Sequence, residues 1–421
     1  LIYSVFLTGV VLATSWARAQ APTPTQAKTE TDRAESRRIL RELAKEASWH
    51  DPLSDVKLEP GMLSEAIEKA RIYYLAQQLP AGNFVYGRDV TTNETVEDDS
   101  QVRQAGALWG LASLNRDRPT LATARAVIRG LHFFLSSSRP MHMGPMAPIY
   151  PGSGEIKTGT VALVTLALVE LWRGEEQYLT RMGRGLCSNW ATQYLAYLGA
   201  MEMDNGSWGR CYYVESGQRE AISSPYFDGE SLLAYCRAAR YMDHKELIPK
   251  IEKIAPLLVK KYTIDAWRAD PDSDLTKGFF QWGCMSFAEY VEAGWKDADL
   301  IADACLALAW WEIHVHKVEE MRANTGYAVE GLLAAYKVAK LRGNQEAMQS
   351  LRPVIERLLI QQISTQVGGP LEKYNHFLTS NRSHKECVGA ILNSPTSGSV
   401  RIDVVQHEVH AMVMAMDLFY K

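Results

Sequence analysis

Carboxylates stand at recurring places in this chain. Asp98, Asp99, Asp228, Glu230 and Asp403 each lie at or just inside the start of a long apolar segment, with Asp204 and Glu372 in neighbouring connectors. An acid at a helix start can simply cap it, accepting backbone N–H bonds worth about 1 kcal/mol. Asp228 and Asp403 sit slightly inside their segments and are followed by apolar residues, so both are expected to face an interior cavity. Two carboxyl groups across a cavity are equipment for glycosidic cleavage. One protonates the leaving oxygen, and the other activates water or attacks the anomeric carbon. Asp228 and Asp403 are the first candidates for that pair, with Glu230 and Asp99 as substitutes.

Gln406-His407-Glu408-Val409-His410 is the densest ionisable cluster. Histidines three residues apart share a helix face. Asp403, one turn before His407, is expected to orient the ring and raise its pKa for proton transfer; the bland alternative is a hydrogen-bonded lumen histidine. The spacing lacks the H-E-x-x-H pattern and a third partner, so no metal site is expected. Arg103 and Arg401 occupy related places, as do Gln104 and Asn324. A guanidinium at a pocket mouth suits a carboxylate or sulfate held in fork geometry. Alternatively, Arg103 pairs with Asp99 four residues earlier. Among the aromatics, Tyr226, Trp208 and Trp282 offer flat apolar faces of the kind a sugar ring needs, and Gly278-Phe279-Phe280-Gln281-Trp282 is expected to line the wall.

These residues belong to a repeating arrangement. Asp98-Asp99-Ser100-Gln101-Val102-Arg103, Pro225-Tyr226-Phe227-Asp228-Gly229-Glu230 and Val400-Arg401-Ile402-Asp403 each lead into an apolar helix rich in small residues, and weaker copies start at Lys157, Lys277 and Arg322. Hydrophobic periodicity predicts twelve helices, at 62–79, 99–115, 119–137, 156–174, 187–201, 225–242, 245–262, 278–294, 297–316, 323–342, 345–364 and 401–420. Every second helix is apolar on several faces, as an inner helix covered on both sides should be. The others carry charge on one face. Long connectors rich in Gly, Pro and aromatic residues precede most of the inner helices, and long loops in compact domains are usually functional.

Gln77-Gln78-Leu79-Pro80-Ala81-Gly82-Asn83-Phe84 and Met203-Asp204-Asn205-Gly206-Ser207-Trp208-Gly209 are similar to the turns that end outer helices in α/α toroids, with a looser copy at Gln361-Gln362 and Gly368-Gly369-Pro370-Leu371. Each glycine permits a tight turn and the aromatic plugs the gap between hairpins. With the alternating helices, they make residues 61–421 resemble the (α/α)6 toroid of the six-hairpin glycosidase-like superfamily. The implied fold is all-α, six helical hairpins closed in a ring, and the implied activity is carbohydrate chemistry at the mouth. Similar turns occur in terpene cyclases, but Asp270-Pro271-Asp272-Ser273-Asp274 does not match their acidic box.

Composition narrows the remaining options. With 421 residues, 47% hydrophobic and 22% charged, the chain has ample material for a sizeable core. A net charge of -4 gives no reason to expect a nucleic acid or an anionic membrane as partner. Ile2 to Ser15 is apolar and precedes Ala17-Arg18-Ala19, so residues 1–19 read as a signal peptide and the product as periplasmic or secreted, with no stable membrane span after its removal. Residues 20–60 read as a linker and an amphipathic helix. Six dispersed cysteines carry no C-x-x-C pair, although export would permit one or two disulfides. No phosphate-cradling loop or Rossmann fingerprint appears, so no cofactor is expected. The expected partner is a glycan or other small polar substrate. The leading expectation is a glycoside hydrolase-like enzyme, the second a uronate lyase or C5-epimerase on the same fold, and the third a toroid that binds a glycan or protein without catalysis.

Overall fold

The computed structural model describes residues 35–39, 41, 51–174, 181–321 and 323–421. The expected signal peptide, most of the expected linker and amphipathic helix, and the segment start at Arg322 lie outside the described residues. The chain divides into two compact units, Leu1–Asp55 and Val56–Lys421. In the first, residues 35–39 and 41 are helical and exposed.

The second unit contains, among the described residues, twelve long helices. The outer ones are α1 (Pro60–Gln77), α3 (Leu121–Ser136), α5 (Arg181–Met201), α7 (Ile248–Val259), α9 (Ala298–His314) and α11 (Gln345–Ser364). The inner ones are α2 (Gln101–Asp117), α4 (Thr158–Arg173), α6 (Pro225–Tyr241), α8 (Asp274–Ala293), α10 (Gly326–Leu341) and α12 (Ile402–Tyr420). Each inner helix packs on the next, and α12 packs back on α2, so the six close into a ring. This is an (α/α)6 toroid.

Sequence explains which helix goes where. In α4, residues 158–171 are all buried, a run of Thr, Gly, Ala, Val and Leu with Glu170 near its end. Only a helix covered on every side can bury such a run, and each large aliphatic in it contributes about 1.5–3 kcal/mol. Outer α3 instead buries Ala124, Val127, Leu131 and Phe134 on one stripe and leaves Leu121 and Ile128 exposed. Small residues set the helix spacing inside the ring. A Cβ on Gly159 of α4 would fall 2.5 Å from the Phe227 ring, and one on Gly229 of α6 would fall 2.5 Å from the Trp282 Cβ.

The turns after α1 and α5 are fixed from inside. Gly82 and Gly206 adopt φ of 111° and 82°, and the flanking residues pair as Gln78–Phe84 and Glu202–Trp208 bridges. The inner helices then clamp the aromatic positions. Gln104 of α2 accepts from Phe84 N at 2.8 Å and donates to Phe84 O at 2.9 Å, while Asp228 of α6 accepts from Trp208 N at 2.8 Å. Two antiparallel strands, β1 (Gly87–Asp89) and β2 (Ser399–Arg401), join the loop before α2 to the start of α12. The expected single helix at 245–262 is divided: a 3-10 turn covers Lys245–Leu247, α7 ends at Val259, and a π-helical turn runs over Lys260–Asp265. That wider turn brings Lys261 and Tyr262 together onto Asp228.

Among the described residues, no helix is long and apolar enough to cross a membrane. All six cysteines are buried and unbridged; Cys284 and Cys305 face each other between α8 and α9.

Candidate functional site

The leading ends of α2, α6, α8, α10 and α12 surround one cavity of 650 Å³. Val102, Arg103, Tyr226, Phe227, Glu230, Lys277, Gln281, Trp282, Asn324, Tyr327, Arg401, Asp403, Gln406 and His407 all line it. An apolar groove of 550 Å³ lies outside the ring between α3, α4 and α5, lined by residues such as Leu131, Leu168 and Trp190. It lacks the convergent polar groups that chemistry requires.

Glu330, in the second turn of α10, organises one wall. It is fully buried, and each oxygen meets a histidine of α12: Oε2 lies 2.8 Å from His407 Nδ1 and Oε1 lies 2.5 Å from His410 Nδ1. The Gln281 amide also donates to Oε2. Burial alone would raise the Glu330 pKa, but the two histidines outweigh it and hold the carboxyl below its usual range. A carboxylate at Nδ1 fixes the tautomer that carries a proton there, leaving Nε2 of His407 as the ring nitrogen open to a ligand. His410 is buried, packs edge-on against Trp109 at 4.5 Å between ring centroids, and has its pKa lowered, chiefly by desolvation. It serves as a neutral donor to Glu330. The Gln406 side-chain nitrogen lies 3.1 Å from His407 Nδ1, and the ring stands 6.1 Å from Trp282.

Beside this wall, Asp403 is held in fork geometry by Arg401, with Nε at 3.0 Å and Nη2 at 2.8 Å. Arg103 of the neighbouring α2 reaches the same carboxylate at 3.3 Å and also donates to the Tyr86 hydroxyl. The expected Arg103–Asp99 pair does not form. Asp99 instead accepts from Gln104 at 2.9 Å and from the Tyr150 hydroxyl. Nor does Asp403 orient His407, since Arg401 and Arg103 occupy it while Glu330 holds the imidazole. Asn324 sits at the rim with φ of 50° and an unpartnered, buried Oδ1.

Glu230 contrasts with the other acids. It is 3% exposed, lines the cavity, and its Oε2 has no hydrogen-bond partner. Burial pushes its pKa well above the usual carboxylate range.

The expected site residues therefore separate into two groups. Glu230, Asp403, His407, Arg103, Arg401, Tyr226, Trp282 and Asn324 line the cavity. Asp228, Asp99, Gln104 and Trp208 do not. Asp228 is wholly buried beneath the mouth, bonded to Trp208 N, to Tyr262 Oη at 2.5 Å and to Lys261 Nζ at 3.2 Å. Desolvation raises its pKa despite those contacts. Its place makes it a clamp for the turn. Trp208 is buried against Tyr235 at 5.6 Å. Glu330 and Lys277 are lining or supporting groups that the reading of motifs passed over. The signal for Glu330 was a lone acid inside Tyr327-Ala328-Val329-Glu330-Gly331-Leu332.

No family model matches the sequence, and no curated protein matches it. Solved structures do. A sugar epimerase from a ruminal bacterium aligns at 8% identity and a TM-score of 0.60, covering 86% of this chain and 100% of that one. A D-mannose isomerase aligns at 10% identity and 0.57, covering 85% and 97%. A cellulase of C. cellulolyticum aligns at 12% identity and 0.54, covering 85% and 99%. The chain has their fold, the six-hairpin toroid. At such identities the likeness extends to architecture alone.

Proposed function

We propose that this chain is a carbohydrate-active enzyme that moves a proton at a sugar carbon beside its carbonyl, as an isomerase or epimerase does. The observation that carries the reading is the His407 imidazole, positioned by a buried carboxylate at the wall of a polar, aromatic cavity. In the open-chain sugar, His407 Nε2 removes the proton on the carbon next to the carbonyl. The electron pair moves onto the carbonyl oxygen and leaves an enediolate. Glu330 stabilises the imidazolium that forms, and Arg103 with Arg401 offers positive charge to the developing oxyanion. Return of the proton to the other carbon, with the hydroxyl proton passing between the two oxygens, gives the isomer; return to the original carbon after the enediolate turns its other face to His407 gives the epimer. The isomerase and epimerase likenesses support this reading in fold only.

A second reading has its own observation. Glu230 is a buried, unpartnered carboxyl group on the cavity wall whose pKa burial pushes up, and Asp403 is a second carboxyl group on the same wall, the two components of glycosidic cleavage. Incubating the protein in deuterium oxide with a panel of aldoses and oligosaccharides separates the two. Proton transfer incorporates deuterium at carbon 2 without releasing new reducing ends. His407→Asn is expected to lower that incorporation by about 10²–10⁴-fold, with near-wild-type thermal unfolding. New reducing ends that survive His407→Asn and vanish in Glu230→Gln would favour hydrolysis instead.

A further inference from the structure

The charges facing the cavity do not balance. Arg103, Lys277 and Arg401 line it as cations, and Asp403 is a carboxylate already shared by the two arginines. Glu230, the other lining acid, is buried with its Oε2 unpartnered, and burial pushes its pKa up. Among the described residues, the Lys277 side chain makes no hydrogen bond or ion pair. The charge that acts on it is Glu312 of α9, whose two oxygens are buried and unpartnered and whose pKa is pushed up to about 8, chiefly by burial. Neither Glu312 oxygen forms an ion pair with Lys277, so no contact compensates the Lys277 ammonium. The leading ends of five inner helices add partial positive charge to the same space. Within this field the Glu230 Oε2, buried and partnerless, has a proton to offer and no protein acceptor. A polar atom so placed at a cavity wall costs free energy unless a ligand satisfies it.

We propose that the sugar taken by this cavity is anionic, its carboxylate or phosphate held by Lys277 and the free side of Arg103, with Glu230 donating to a hydroxyl. This rests on the carbohydrate reading above and narrows its substrate class.

Titration calorimetry tests it near pH 7 with the purified protein. The probes are glucose, galactose and mannose, their 6-carboxylate forms, and their 6-phosphates. At least one anionic form is expected to bind about tenfold tighter than its neutral parent, with the advantage shrinking as salt rises. The carboxylate and phosphate arms identify which group is held. Lys277→Ala should abolish most of that preference and Lys277→Arg should retain it; the half-buried position of Lys277 makes both changes compatible with folding. Neutral sugars binding as tightly as both anionic forms, or a preference untouched by Lys277→Ala, would overturn the proposal while leaving the carbohydrate reading standing. Failure of every sugar to bind would bring down both.

Discussion

At the trailing ends of the inner helices, Glu170 of α4 is enclosed by Arg116 at 2.6 Å, by Arg173 at 3.3 Å, and by Arg237. Glu289 of α8 is likewise held by Arg237 at 3.0 Å and by Arg240. Burial alone would raise the Glu170 pKa, but the three arginines hold it far below the usual range. A cavity of 230 Å³ remains there, and its lining charges are largely matched. At the leading ends of the same helices, Glu230, Asn324 and Lys277 carry polar atoms without protein partners around a cavity of 650 Å³. The same six helices thus saturate buried charge at one end and leave it open at the other. Matched charge fixes the ring; unmatched polar atoms mark where a ligand completes the protein.

The largest test of this contrast removes the centre of the matched end. Glu170→Ala strands three arginines and should cost about 3–5 kcal/mol of stability in denaturant unfolding, while the molecules that remain folded keep their activity. A loss of activity without a loss of stability would show that the two ends are not separate in role. Next comes the clamp beneath the mouth. Asp228→Ala leaves Trp208 N and the Tyr262 hydroxyl without their acceptor and should cost about 1–3 kcal/mol, again with activity per folded molecule retained. Turnover falling by orders of magnitude at unchanged stability would return Asp228 to the chemistry.

The smallest effect is at the unmatched end and has the opposite sign. Glu230 has a folded pKa raised above its unfolded value, so the folded state binds the extra proton. Its contribution is most favourable below the unfolded pKa and is lost as pH rises towards the folded one. Glu230→Gln should therefore stabilise the protein by about 1 kcal/mol, more at pH 8 than at pH 5, measured by thermal unfolding at both. Equal effects at the two pH values would mean that Glu230 is not held neutral.

Much of the toroid was legible in the sequence because helix periodicity and small-residue content differ sharply between covered and half-covered helices. Expected bounds of 225–242 and 401–420 meet Pro225–Tyr241 and Ile402–Tyr420. The region 245–262 misled because a hydrophobic stripe does not record a slip from α to π hydrogen bonding, which here follows Pro256 and brings Lys261 to Asp228. The candidate site was legible in its helix-start residues, but not in their directions. Asp228 and Asp403 stand alike in sequence, at the fourth and second positions of their helices. One points down to a turn and the other into the cavity, a difference set by neighbours hundreds of residues away or in the next hairpin. Glu330 escaped notice because it stands alone inside an apolar run, which hides a single acid.

The pairing of β1 with β2 and the packing of α12 on α2 have a consequence for synthesis. Arg401, Asp403, Gln406 and His407 all arrive with the last inner helix, and without it Arg103 has no carboxylate and Glu330 no imidazole. A nascent chain lacking that helix is an open crescent with five-sixths of its ring and none of the proposed chemistry. Synthesis order alone would keep the growing chain silent towards sugars until the ring shuts.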